Sequence, residues 1–483
     1  MERRASDRPS AGSRLPRHAS GSTRERPLRR RRGRLQVDTA VTSREERSDD
    51  SARGPWPARP WQSFTTPDRR ILLLSIVLQL ALALLFGHSY DTRVFLGTGY
   101  LVGTGQNPYV GQDLSAAFQH IGFGALTTVG YPPPWPLALG LIYRVVHAIT
   151  PNLLVYNLAI KLPVIAANVG LAYLVGAVLK NLRAEPAVAR GAWVFLLLNP
   201  FLLYVGAAWG QIDAIVALGS LAALVLLAAK RRDGSAGLLA LSIAVKPTAL
   251  PVLPVVLVAL AGRSFRQAAR YGAVFTAGAV VFCLLPFAVF GWDPTSVIRH
   301  LNAHFMMTGT MSFMTVVRLF RDPLQMQGHW WLLGLLWIPA LAVATVVALR
   351  RGVGGFDDLV RKSVALGLVF FLTRTWLAEP NVILILPLVL ILTSLGELDR
   401  RALTAVWVIP LLFTVVNASP LQVLFVAFPD AMEASLAVFA RYESTTLVVR
   451  AALVIAWQIA GWWIVASCLR RERAPAKGTA GWS

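Results

Sequence analysis

Apolar residues fall in long runs of the kind that cross a bilayer, separated by short polar connections. The first run is Ile71–Gly87, and further runs are Pro134–Ile149, Asn152–Leu179, Ala192–Trp209, Ile212–Ala229, Ala236–Leu260 and Tyr271–Phe290. Trp330–Leu349, Val364–Trp376, Asn381–Leu395, Leu403–Phe428 and Thr445–Cys468 follow. A spanning helix needs roughly 20 residues, so Pro134–Ile149 and Val364–Trp376 are marginal: tilted, re-entrant or longer than the apolar run. The pattern predicts an all-α, polytopic transmembrane bundle of about 10–12 helices with a long first loop, His88–Pro133, between the first run and the next.

Loop charge orients the bundle, because short cytoplasmic loops collect Lys and Arg. Arg350 and Arg351, Arg361 and Lys362, Arg400 and Arg401, and Arg470–Arg473 all fall inside if every run from Trp330 onward crosses. His88–Pro133, Gly291–His329 and Pro429–Ser444 are then outside. The middle conflicts: Lys180, Arg183 and Arg190, Lys230–Arg232 and Arg263–Arg270 cannot all be inside if each middle run crosses once. One resolution makes Ala236–Leu260 a hairpin of two short halves broken at Lys246-Pro247, where proline removes a backbone donor and clashes with the preceding turn.

Composition supports this class. Of 483 residues, 55% are hydrophobic and 15% charged, against about 25% charged in soluble domains. Cys283 and Cys468, both in apolar runs, cannot build a disulfide scaffold or a zinc cluster. Residues 1–68 are rich in Arg, Ser, Pro and acids, too polar to bury a core, and read as a disordered cytoplasmic tail. The membrane domain is then 69–470, and 471–483 a short cytoplasmic tail. Residues 1–70 hold 18 Arg and 9 acids, +9 of the net +22. Beside a first membrane helix, this polycation, including Arg29–Arg32, reads as a positive-inside anchor on anionic lipids before a nucleic-acid patch. No small-residue cleavage pattern follows the first run, so a removed signal peptide is not expected.

Ionisable groups at or in the membrane are costly and are functional candidates by default. Asp91 follows the first helix in Ser89-Tyr90-Asp91-Thr92-Arg93, before a short apolar stretch, Val94–Val102, that suits an interfacial helix; it serves as a helix cap or as a site residue. Tyr131-Pro132-Pro133-Pro134 makes a rigid helix start. Trp209-Gly210-Gln211-Ile212-Asp213 separates two runs too closely spaced for a loop, and Gln211 and Asp213 again permit capping. Lys246 stands at the helix break, suited to a phosphate as a point charge or to an ion pair with a carboxylate not identified. Arg374 and Glu379 sit at the outer ends of two helices, where an ion pair competes with a site. His300 and His304 share a helical face at i, i+4; a general base or substrate contact is favoured over zinc, for want of acidic neighbours. Lys161, in Asn152–Leu179, is expected to snorkel and is given no role. No GxxxxGK[ST], HExxH or GxSxG sequence supports ATP-driven transport, zinc proteolysis or serine hydrolysis.

Together, Asp91, Gln106-Asn107-Pro108-Tyr109, Tyr131-Pro132-Pro133, Asn199-Pro200, Gly210-Gln211-Ile212-Asp213 and Lys246-Pro247 stand in the order found in the GT-C superfamily of integral-membrane glycosyltransferases. Over about residues 70–290 the chain resembles bacterial polyprenol-phosphate-mannose-dependent mannosyltransferases. The resemblance implies a multi-pass plasma-membrane enzyme with an extracytoplasmic site, moving a sugar, mannose first, from a polyprenyl-phosphate donor to a glycolipid or glycan acceptor with inversion. It assigns Asp91 as base, Lys246 as ligand of the lipid phosphate, Gln211 and Asp213 as sugar contacts, and His304 or His300 as a second base or phosphate donor. Tyr131 and Glu379 complete the expected substrate site. Metal-using members often carry Asp-x-Asp or Glu-x-Asp in the first outer loop; here Thr92-Arg93 follows Asp91, so no metal or other cofactor is expected. A flippase for a lipid-linked sugar or a non-catalytic assembly factor are the alternatives.

Overall fold

The computed structural model describes residues 66–115, 117–118, 125–126, 129–295, 309–320 and 329–470. His300 and His304, the tail up to residue 65 and residues 471–483 lie outside the described residues. What is described is a helical bundle with two minimal two-stranded pairings. β1 (Gln112–Asp113) pairs antiparallel with β2 (Ala125–Leu126), and β3 (Gly309–Thr310) pairs in parallel with β4 (Trp376–Leu377).

The helices are α1 (Thr66–Leu85), α2 (Ser89–Gly103), α3 (Pro134–His147), α4 (Leu153–Asn181), α5 (Pro186–Leu198) and α6 (Pro200–Leu202), the last continuing as a π-helix, Leu203–Trp209. Next come α7 (Asp213–Ala228), α8 (Arg232–Val245), α9 (Val252–Ala261), α10 (Phe265–Cys283) and α11 (Leu285–Phe290). The remainder comprises α12 (Met314–Val317), α13 (Trp337–Arg351), α14 (Phe356–Leu372), α15 (Leu386–Ser394), α16 (Arg400–Val416), α17 (Ser419–Gln422), α18 (Pro429–Ala440) and α19 (Glu443–Arg470). Leu153–Asn181, Pro186–Trp209, Phe265–Phe290, Leu332–Arg351 and Glu443–Arg470 are each long and apolar enough to cross a bilayer unaided.

Side-chain bonds fix the directions. Asp68 meets Arg190 at 2.5 Å near the starts of α1 and α5, and Ser75 Oγ donates to Leu197 O at 2.7 Å, so α1 and α5 run parallel. On α7 and α8, Asp213 meets Lys246 and Ser235 Oγ donates to Ala223 O, an antiparallel pair. Arg270 meets Asp233 at 2.5 Å and Tyr271 meets Ser235, so α8 and α10 run parallel with α9 returning between them. The apolar run Ala236–Leu260 is therefore a hairpin of two short halves broken at Lys246-Pro247. This puts Lys180, Arg183, Arg190, Lys230–Arg232 and Arg263–Arg270 at one end of the bundle, with Arg350, Arg351, Arg400 and Arg401.

Another run behaves differently. Phe95 packs on Trp135 and Gly103 on Tyr143, so α2 and α3 lie parallel. Tyr143 and His147 pack on Tyr156, just inside α4, and Asn157 bonds the end of α1. Both ends of α3 therefore sit at the α1-end side of the bundle, and Pro134–Ile149 does not cross. Among the described residues, the split of Ala236–Leu260 adds one helical segment running between the two ends of the bundle, and α3 removes one. Spanning helices cannot leave backbone groups bare in lipid, and polar side chains between α1 and α4 pair with one another: Gln79 Nε2 donates to Ser75 Oγ at 3.1 Å and Asn168 Nδ2 to Gln79 Oε1 at 3.0 Å.

α7, α8 and α9 have 16, 14 and 10 residues. A straight crossing takes roughly 20 at 1.5 Å each, so α8 falls short by about 9 Å. Lys246 closes α8 and Asp213 begins α7, at the same end of these short helices, and both side chains are largely buried.

Candidate active site

Every sequence-selected site residue within the described residues lies at the end of the bundle opposite the arginine clusters. His88 lies in the connection between α1 and α2 and Asp91 in the first turn of α2, the π-helix ends in Trp209, Gln211 just precedes α7 and Asp213 begins it. Lys246 closes α8, Tyr131 precedes α3, and Glu379 follows β4.

Asp91 lies in the first turn of α2, but His88 occupies the cap position and no side chain caps this helix. The capping reading of Asp91 is thus set aside: one carboxylate oxygen, Oδ2, instead accepts the indole N–H of Trp209 at 2.7 Å. His88 stacks flat on the same indole, centroids 4.3 Å apart, with Nδ1 3.5 Å from Asp91 Oδ2. Burial holds the His88 imidazole below its ordinary value of 6.5, outweighing the upward pull of Asp91. With that ring neutral, Asp91 has no cationic partner among the described residues, and its side chain keeps 16% of its surface open.

Trp209 is aimed by its backbone. The π-helix ends at Gly210, whose φ of +94° is left-handed, a conformation glycine adopts without steric cost. π-Helical segments concentrate at functional sites, and here Gly210 turns the chain so that Gln211 and Asp213 follow at the start of α7.

Asp213 does not cap α7 either. Its Oδ2 accepts from Lys246 Nζ at 2.6 Å, while Gln211 Oε1 lies at 3.5 Å from the same ammonium. The ion-pair alternative for Lys246 is therefore realised, with Asp213 as the carboxylate. The Asp213 side chain is 1% exposed and that of Lys246 13%. Asp213 Oδ1 is buried with no hydrogen-bond partner, which is costly unless a donor arrives.

Tyr131 lies within electrostatic reach of both carboxylates. Burial, then the charges of Asp91 and Asp213, push its phenol well above the ordinary range, so it remains a neutral hydroxyl. Its carbonyl accepts from Tyr109 Oη at 3.0 Å and its ring packs on Phe95, fixing the segment.

Glu379 is buried and does not pair with Arg374. Asn417 Nδ2 donates to Glu379 Oε1 at 2.9 Å, and Arg450 Nη1 donates to Asn417 Oδ1 at 3.0 Å. Arg374 lies instead over the Phe370 ring, 5.1 Å from its centroid, so of the two readings left open for Arg374 and Glu379 the ion pair is not formed, and an amide relay and a cation–π contact stand in its place. Glu379 remains within electrostatic reach of Asp91.

Lys161 corrects the sequence reading outright. It does not snorkel: it is 1% exposed, and its ammonium donates to three backbone carbonyls beneath the site, Ala83, Phe86 and Ala208. Sequence reasoning also missed His88 and Trp209. His88 stands i, i+3 from Asp91, and Asn157, Lys161 and Asn168 share a face of α4 at i, i+4, i+11, a polar stripe visible in the sequence.

Among the described residues no group of three or more His, Cys, Asp and Glu could hold a metal ion. The arrangement offers an acceptor-only carboxylate, a recessed ammonium paired to a carboxylate with one bare oxygen, and a neutral phenol within electrostatic reach of both carboxylates.

No curated protein matches the chain. The profile of glycosyltransferase family 87 matches residues 131–380, which takes in Tyr131, Gln211, Asp213, Lys246 and Glu379 and leaves Asp91 just before it. The matched region covers more than half of the 483 residues, and the chain belongs to glycosyltransferase family 87, membrane glycosyltransferases of the GT-C type.

Proposed function

We propose that the protein transfers a sugar, mannose first, from a polyprenyl-phosphate donor to a hydroxyl of an extracytoplasmic glycolipid or glycan, with inversion at the anomeric carbon. The observation that carries this reading is the Asp91 carboxylate: partly open, held by the Trp209 indole and next to a neutral imidazole. A carboxylate so placed can accept a proton from an acceptor hydroxyl, general-base work worth about 10²–10⁴ in rate. The acceptor oxygen then bonds to the anomeric carbon as the bond from that carbon to the phosphate oxygen breaks. Prenyl phosphate leaves with the electron pair, and the proton rests on Asp91.

The remaining groups serve the donor. Lys246 has three N–H donors, one committed to Asp213, which leaves others for a phosphate oxygen developing charge. The bare Asp213 Oδ1 and Gln211 suit sugar hydroxyls, because a buried acceptor without a donor gains most from one. Tyr131 supplies a neutral hydroxyl, and Glu379 closes the site from the far side of Asp91. The arginine-rich end of the bundle faces the cytoplasm of the plasma membrane by the positive-inside rule, with the site facing outward. No metal is required, since Lys246 supplies positive charge for the leaving group. The Arg-rich tail adds attraction to anionic lipids.

The test is glycosyl transfer by the purified full-length protein from short-chain prenyl-phosphate-mannose to a pool of membrane acceptors, with Asp91→Asn and EDTA as parallel arms. Product from the wild type, undiminished by EDTA and lost in Asp91→Asn, is the expected outcome. An Asp91→Asn protein as active as the wild type removes Asp91 as base, and loss of product in EDTA removes the metal-free mechanism.

A further inference from the structure

One buried charge takes no part in this chemistry. Among the described residues Lys161 forms no ion pair, and its Nζ donates to Ala208 O at 3.0 Å, to Ala83 O at 3.4 Å and to Phe86 O. These carbonyls sit at the C-terminal ends of two helices, since α1 ends at Leu85 and the π-helix at Trp209. Terminal carbonyls lack intrahelical donors and carry the negative end of the helix dipole. One ammonium therefore satisfies both ends and draws them together.

The surroundings fit that task. Asn157, one turn earlier on α4, donates to Ala83 O at 2.7 Å and to Phe86 O at 3.0 Å. A Cβ on Gly210 would come within 2.8 Å of Lys161 Cε, and one on Gly206 within 2.6 Å of Asn168 Nδ2, so the π-helix is bare where the polar stripe of α4 presses on it. His88 begins two residues past Phe86, and Trp209 directly follows Ala208. The joint that Lys161 makes lies beneath the Trp209–Asp91 hydrogen bond of 2.7 Å.

We propose that Lys161 is a positioning residue: by tying the C-terminal ends of α1 and the π-helix to one ammonium, it keeps the Trp209 indole and the Asp91 carboxylate at hydrogen-bond distance. This rests on Asp91 being the base. Lys161 touches no substrate and acts only through the two segments it joins.

The test compares Lys161→Met, Trp209→Phe and their combination in the full-length protein. In the transfer assay Lys161→Met lowers kcat by about tenfold, as much as loss of the Trp209–Asp91 bond itself, while KM for prenyl-phosphate-mannose stays within about threefold, the pattern of displaced reacting groups. In the Trp209→Phe background the same change costs no more than about threefold, because the bond it protects is already gone. Hydrogen–deuterium exchange supplies a readout independent of activity: in Lys161→Met, peptides covering residues 84–92 and 205–213 exchange faster while peptides of α19 keep the wild-type rate. If Lys161→Met aggregates, Asn157→Leu, which removes the neighbouring donors to α1, carries the same measurements with a loss of about fivefold. Unchanged kcat, a loss that multiplies in full with that of Trp209→Phe, or unchanged exchange in the two segments overturns the proposal. A wild type that makes no product refutes the transferase reading, and the exchange data then still decide whether Lys161 orders these segments.

Discussion

Asp91 and Asp213 both reach Tyr131 with their charge, yet the walls that carry them treat a carboxylate in opposite ways. On the α1–α2 wall, Asp91 accepts a neutral indole N–H and lies beside a ring that burial keeps uncharged. On the α7–α8 wall, Asp213 is closed in and neutralised by Lys246 at 2.6 Å. A carboxylate locked to an ammonium is committed to that partner, and one held by a single neutral indole N–H is left for an incoming hydroxyl. When two like groups share a site, their environments assign the roles: Asp91 for the proton, Asp213 for holding Lys246 and a hydroxyl.

The largest expected effect breaks that comparison at its catalytic side. Asp91→Asn removes the proton acceptor and keeps shape, so kcat falls by about 10³-fold, with a thermal unfolding midpoint in detergent close to wild type. Asp213→Asn reverses the pattern. It leaves a recessed ammonium without its counter-charge, so kcat/KM falls by about 30-fold and the unfolding midpoint drops clearly, since breaking one half of a buried pair is strongly destabilising. Adding Lys246→Met to Asp213→Asn restores the midpoint and not the activity. Equal losses of kcat and of stability in both single variants would erase the distinction between the walls.

Smaller still is the loss in Trp209→Phe, about tenfold in kcat, because the ring stack survives and a single donor to Asp91 is lost. Steady-state kinetics beside Asp91→Asn checks it, and in an Asp91→Asn background the Trp209→Phe change costs almost nothing.

Much of this was legible in the sequence. Asp91, Gln211, Asp213 and Lys246 were visible because each is a lone polar residue against apolar runs, and the hairpin at Lys246-Pro247 followed from loop charge and the proline. What escaped depended on packing across distant chain. Nothing local says that Trp209 donates to a carboxylate 118 residues earlier, nor that the carboxylate paired with Lys246 would be Asp213. Lys161 was misjudged because a lysine in a long apolar helix has two solutions, reaching for the interface or being fed by carbonyls, and only the neighbouring helix ends decide between them. Pro134–Ile149 was a candidate crossing for a similar reason: its composition suits lipid, while its 14-residue helix is held at one end of the bundle by α2.

The mildest prediction concerns the neutral partner that distinguishes the Asp91 wall. His88 is kept below its ordinary value of 6.5 by burial, so in the folded protein it resists a proton that the unfolded chain accepts. Where the unfolded state binds more protons, stability falls as pH falls. The contribution is therefore complete above pH 6.5 and declines below it, by up to about 1.4 kcal/mol for each pH unit until the folded ring also titrates. His88→Phe keeps the stack on Trp209 and cannot take the proton. Unfolding midpoints of the two proteins in detergent should run in parallel from pH 8 to about 7 and diverge toward pH 5, with the wild type losing more. Titration of other carboxylates shifts both curves alike, so the gap between them isolates this ring. Parallel curves down to pH 5 would mean that His88 accepts its proton in place, and Asp91 would then face an imidazolium and lose the very feature that sets it apart from Asp213.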